Sequence, residues 1–174
     1  MDCAHDKPNK DTAMKTRHIL AAAVLVFQNA VTVQAEEKIR HMSEISDLKA
    51  IHAWAPATDA DTAFVYFELE NEGEGPVSVT GTDSPIAEAV EIVGFWLRQG
   101  EETYERIAAV PLSPGSVIHF EPGGLAVRLS RLTRPLIQGE HFTLDLQTDL
   151  GTLELDVAIE ASSATAHSHA GHSH

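Results

Sequence analysis

The sequence predicts an all-β domain of the sandwich type. Apolar residues alternate with polar ones over short runs, and Gly, Pro, Asp and Asn separate those runs. No stretch of residues 36–160 carries the 3.6-residue apolar period of a long amphipathic helix. There is also no internal repeat, no Gly-rich phosphate loop and no strand–helix alternation.

At the front, Lys15, Arg17 and His18 precede the apolar run Ile19–Phe27, and Val33-Gln34-Ala35 offers the small residues that signal peptidase cuts. A positive flank, a short apolar core and a small exit site describe a secretory signal. The run is shorter than the roughly 20 apolar residues that a bilayer span needs, so no stable membrane insertion is expected after cleavage. Residues 1–35 are therefore read as an upstream extension plus signal, with Met14 the natural start. Residues 36–46 read as a linker, 47–160 as a single sandwich domain, and 161–174 as a flexible His-rich tail.

Cutting after Ala35 leaves 139 residues, enough for one hydrophobic core without covalent staples. The only cysteine, Cys3, leaves with the leader, so the exported chain has no disulfide and no thiolate ligand. Periplasm is the natural compartment. Eight basic and 23 acidic residues remain, a net charge of −15 with histidines neutral. Such a surface repels phosphate backbones and anionic lipid, which excludes nucleic-acid binding, while it concentrates cations.

Along the domain, Phe64–Glu70 places Val65, Phe67 and Leu69 on one face, and Asn71-Glu-Gly73 ends the run. Val77–Thr80 follows Pro76 and stops at Gly81. Glu88–Leu97 is a further extended run, broken at Gly100. Val117–Phe120 leads into Pro122-Gly-Gly124, and Leu125–Leu129 resumes. Phe142, Leu144 and Leu146, then Leu153, Leu155, Val157 and Ile159, alternate on either side of a turn near Asp149-Leu-Gly151. That pair is the strongest hairpin in the chain.

The ordering of these pieces resembles the PCu(A)C family of periplasmic copper chaperones. The matching residues are Ala53–Thr58, Ala63–Tyr66 with Asn71-Glu-Gly73, Ser84–Ala87, Glu91-Ile92 and Pro114-Gly115. Most specific is Phe120-Glu-Pro-Gly-Gly-Leu125, followed by Leu132–Leu136 and Gly139. The resemblance covers roughly Leu48 to Ile159 and implies a cupredoxin-like, Greek-key β-sandwich. It also implies a Cu(I) site of two His and two Met, whose soft thioethers select the cuprous ion. This chain departs there. Val93 follows Glu91-Ile92 where a His is expected, Ala126 and Arg128 stand where His-x-Met is expected, and Tyr104–Ile107 contains no Met. Met42 is the only methionine left after processing, so none of the usual ligands is carried over. Arg128 instead puts a cation near that place.

The remaining metal chemistry lies at the carboxyl end. His167, His169, His172 and His174 fall within eight residues, interrupted by Ser, Ala and Gly. Neutral imidazole is the commonest protein metal ligand, and short His-rich tracts read as metal binding. His41 and Met42 are secondary candidates, an imidazole and a thioether near the mature N-terminus. His52 reads as a structural histidine on a strand, and His119 as solvent-facing and His141 as a turn neighbour, neither of these two with a partner at evident ligand spacing. Trp54, Trp96, Tyr66 and the phenylalanines read as core, and Gly123-Gly124 as a turn needing positive φ. No serine sits in a nucleophile elbow and no histidine has an identifiable acidic orienter, so no catalytic residue is assigned and no enzyme is expected.

The expected function is an exported, metal-binding accessory protein that handles copper and delivers it to a cuproenzyme or another envelope protein. All-imidazole ligation favours Cu(II) over Cu(I), with zinc the other candidate. The rival is a sandwich that has lost metal binding and docks onto an envelope protein through Arg128, Arg131 and Arg134, the clustered cations of an acidic chain.

Overall fold

The computed structural model describes residues 42–165, and they form eleven strands and no helix. The strands are β1 Met42–Ile45, β2 Leu48–Pro56, β3 Thr62–Asn71, β4 Val77–Asp83, β5 Ala87–Arg98 and β6 Glu101–Arg106. They continue with β7 Val110–Leu112, β8 Val117–Phe120, β9 Leu125–Leu132, β10 His141–Thr148 and β11 Gly151–Glu160. Residues 1–35, read above as an extension and signal, His41 and the four tail histidines lie outside the described residues.

Hydrogen bonds run through one continuous ladder in the order β6-β5-β9-β8-β3-β2-β11-β10-β4-β7, with β1 added to β2. β4 stands near one end of that order and β5 near the other, yet the two touch. The ladder therefore folds over on itself, and its two halves enclose one core as a β-sandwich does. Alternation decides which residues go inside. Val65, Phe67 and Leu69 of β3 are buried, as the period of two requires. So are Phe142, Leu144 and Leu146 of β10, which stand opposite Val157, Leu155 and Leu153 of β11 in the hairpin that the alternation predicts.

Asn71 closes β3 from within the core. Its side-chain amide donates to the carbonyls of Gly75 at 2.9 Å and Ser113 at 3.2 Å, and its Oδ1 accepts from the Gly73 amide at 3.0 Å. One buried amide thus pins the β3–β4 turn to the end of β7.

Several elements differ from the sequence pattern. Part of the stretch read as linker, Met42–Ile45, pairs antiparallel with Leu48–Ile51 as β1. β4 runs past Gly81 to Asp83, because β10 continues to pair with it there. Glu101–Arg106 forms β6 although its side chains are mostly exposed, since backbone pairing with β5 alone defines it. Trp96 is not core: it is 49% exposed near the tip of the β5–β6 hairpin, with the Arg98 guanidinium 5.8 Å from its ring centre. The small-residue segment after β11 also stays on the domain at first. Ala164 donates its amide to Ala161 at 2.9 Å, and its side chain packs on a buried aromatic group.

Candidate functional site

The register of β5 on β9 sets Val93 directly across from Ala126 and Glu91 across from Arg128. Val93, Ala126 and Arg128 are positions at which the resemblance implies metal ligands. Both Val93 and Ala126 are 0% exposed. They form a second apolar cluster with Trp54 and Tyr66, separate from the main core, with Phe64, Tyr104 and Ala164 packed against it. The rings interlock: Trp54 and Tyr66 are 4.9 Å apart by centroid, Phe64 and Tyr104 4.7 Å, and Phe95 meets Tyr104 edge-on at 5.5 Å. Burial pushes the Tyr66 phenol up to about 12, so it stays protonated and neutral.

Beside this cluster, the Arg128 guanidinium holds the Glu91 carboxylate at 2.7 Å, and Arg106 approaches the same carboxylate at 3.9 Å. Arg128 also donates to the Tyr104 carbonyl at 3.4 Å. Two guanidiniums and a shell of carbon offer a metal cation no sulfur and no imidazole. The residues present do not fit a Cu(I) site at this place. Among the described residues, no three His, Cys, Asp or Glu side chains converge to hold a metal.

The cation patch of the docking alternative is also already occupied. Arg131 pairs with Glu88 at 2.6 Å and Arg134 with Glu140 at 2.7 Å, so each of the three guanidiniums is matched by a carboxylate.

The histidines have acidic neighbours that spacing along the chain did not reveal. His119 Nδ1 lies 3.2 Å from Glu68 Oε2, because β8 pairs with β3 with these two residues opposite each other. His141 Nδ1 lies 3.1 Å from Asp156 across the β10–β11 hairpin. The partners are 51 and 15 residues distant, and only strand register brings them together. His52 sits at φ +55° where the β2–β3 register shifts, so a bulge rather than regular strand presents it. Met42 stands opposite Ile51, which stands opposite Glu68, so a single row crosses from Met42 to His119.

An open cleft of about 540 Å³ lies on this face, with His52, Trp54, Glu68, His119, Glu121 and Thr165 among its lining residues. Thr165 is the last described residue, and it follows Ala164, whose side chain rests on the aromatic cluster. Among the described residues no helix is long and apolar enough to cross a membrane.

Comparison with known proteins agrees with this architecture. The LpqE-like family model matches residues 48–159, and the chain belongs to that family. The PCuAC domains among solved structures share its fold, as the motif order implied. The apo PCuAC domain of PmoF2 aligns at 23% identity and a TM-score of 0.61, covering 72% of this chain and 99% of that one. The apo PCuAC domain from PmoF1 gives 25% and 0.60, covering 70% and 99%. The copper-bound PCuAC domain from PmoF2 gives 23% and 0.59, covering 70% and 98%. No curated protein matches the chain.

Proposed function

We propose that this protein is an exported, non-enzymatic copper-handling protein of the periplasm. It captures metal through His167, His169, His172 and His174 and presents it on a PCuAC-like scaffold to a cuproenzyme or another envelope protein. The observation that carries this reading is the filling of the family's ligand positions by Val93, Ala126 and interlocked aromatic rings. With Met42 the only sulfur after residue 35, imidazole is the donor that remains in number, and four imidazoles sit at the carboxyl end. The copper-bound state of a PCuAC domain in a solved structure supports copper as the cargo. An imidazole-rich donor set suits Cu(II), with Zn(II) its closest competitor and Cu(I) disfavoured. His41 and Met42 are auxiliary donors in this reading. The acidic surface adds an attractive field for any cation.

Because the ligand form is neutral imidazole, Cu(II) affinity is expected to be full above pH 7 and to collapse below about pH 6. The experiment is a Cu(II) titration of the mature chain beside a version ending at Thr165. High affinity in the first and its loss in the second supports tail capture. Equal affinity and stoichiometry in both overturns it.

A further inference from the structure

We infer that the free edge of β6 is a docking site for a partner protein, which adds an extended, lysine- or arginine-bearing strand to the sheet. This contact forms whether or not the carboxyl end binds metal.

The ladder has two ends, and they differ. β7 is three residues long with Pro111 at its centre, so it offers an incoming strand little to pair with. β6 is six residues long, contains no proline and pairs with β5 alone among the described residues. The Ile107 amide donates to the Ile92 carbonyl at 2.8 Å, while the Phe95 amide points away from β6, to Gly124 at 2.9 Å. Antiparallel alternation therefore turns the backbone groups of Glu101, Thr103 and Glu105 towards β5, and those of Glu102, Tyr104 and Arg106 outward. Of the outward groups, the Tyr104 carbonyl accepts a long bond from Arg128, at 3.4 Å. No strand among the described residues meets the rest.

Side chains beside this edge set the chemistry of the strand that fits. On one face Leu97, 65% exposed, continues the row of Phe95 and Tyr104. On the other, the exposed Trp96 stands opposite Thr103, between Glu101 and Glu105 along β6. Gln99 and Gly100, at φ +55° and +87°, close the hairpin in two residues and hold both faces in register. In strand addition main-chain bonds supply affinity, and side chains along the edge supply selectivity.

Charge selects the partner. Arg98 matches Glu105, and Arg106 approaches Glu91, but Glu101 and Glu102 have no cation among the described residues. Opposite charges across a strand pair stabilise it, and like charges oppose it. The chain carries a formal charge of −14, so a second copy brings repulsion to this edge, as does anionic lipid. A basic strand with apolar residues on its other face meets attraction on both sides. One short edge buries less than about 1,200 Å², the size of a transient encounter.

The test uses the mature chain without metal and a capped, fluorescein-labelled peptide of alternating lysine and valine, with a glutamate–valine peptide as control. Extended, the first has one basic and one apolar face. Fluorescence polarisation at low salt is expected to show it bound at least about 10-fold more tightly than the control. Its addition is expected to slow amide exchange at Glu102, Tyr104 and Arg106 at least about 10-fold, and to leave Thr103 and Glu105 unchanged. Glu102→Pro removes an outward amide and spares the β5 ladder, so it is expected to abolish binding. Joint Glu101→Lys and Glu102→Lys is expected to reverse the preference between the peptides. Leu97→Ser is expected to weaken the lysine peptide about 10-fold. Equal urea midpoints confirm that the variants fold. Binding that survives Glu102→Pro, or that slows none of the three amides, is charge attraction alone and overturns strand addition. Equal binding of both peptides overturns the basic partner. A dimer that Glu102→Pro abolishes, with no peptide bound, makes the occupant a second copy and overturns the proposal. So does a Trp96 emission shift on phosphatidylcholine vesicles with no peptide bound.

Discussion

Replacing Trp54 with alanine tests whether the family's metal position has become a structural core. Trp54 is 5% exposed and its ring lies 4.9 Å from that of Tyr66. A buried tryptophan removes about 200 Å² of surface from water. At about 25 cal/mol per Å² that is roughly 5 kcal/mol, and residual burial in the unfolded chain lowers it to about 4 kcal/mol. Large-to-small aromatic substitutions in cores cost about 3–5 kcal/mol, the same range. For a domain of this size such a loss lowers Tm by roughly 15 °C. Urea unfolding followed by far-UV circular dichroism measures it without relying on tryptophan emission. A loss under about 1.5 kcal/mol would refute the claim that the ring cluster is a second core rather than a vacated and tolerant surface.

Asn71→Ala removes the buried amide that ties the β3–β4 turn to the end of β7 and takes the side-chain donor from the part-buried carbonyls of Gly75 and Ser113, so a loss of about 1–3 kcal/mol is expected in the same urea assay. Tyr66 is raised in the folded state to about 12, against an unfolded value near 10. Its contribution is therefore whole below pH 10 and is lost as pH rises towards 12, by at most about 2 kcal/mol. Relative to Tyr66→Phe, the native chain is expected to lose stability over that window; parallel curves would contradict the buried phenol. Cu(II) affinity of the mature chain is expected to fall steeply between pH 7 and pH 5, and a flat profile would exclude imidazole ligands.

Much of this fold is legible in the residues because one face of each principal strand is buried. Leu144, Leu146, Leu153 and Leu155 are assigned to one face from alternation alone, and the structure buries all four, since a slip of one residue would expose the whole apolar set. β6 is illegible for the opposite reason. Glu101-Glu-Thr-Tyr-Glu-Arg106 is an edge strand with little to bury, and charge on an edge protects it from pairing with other chains. Trp96 shows the same limit: its type argues for core, but a hairpin tip extends it beyond the sheet that would cover it.

The departures at Val93, Ala126 and Arg128 are visible in sequence, and the structure shows what took the ligands' place. Glu91, there only part of a motif, proves to be the counter-ion of Arg128. The pairing of His119 with Glu68 was hidden because it depends on the long-range register of β8 against β3. An outward position between Ile118 and Phe120 was the only signal available.

The most direct measurement is the metal content of the exported protein, purified without an affinity tag from copper-replete cells with its carboxyl end intact. Copper bound in a near-stoichiometric amount, with a nitrogen-coordinated Cu(II) spectrum, is the expected result. A metal-free protein would contradict it.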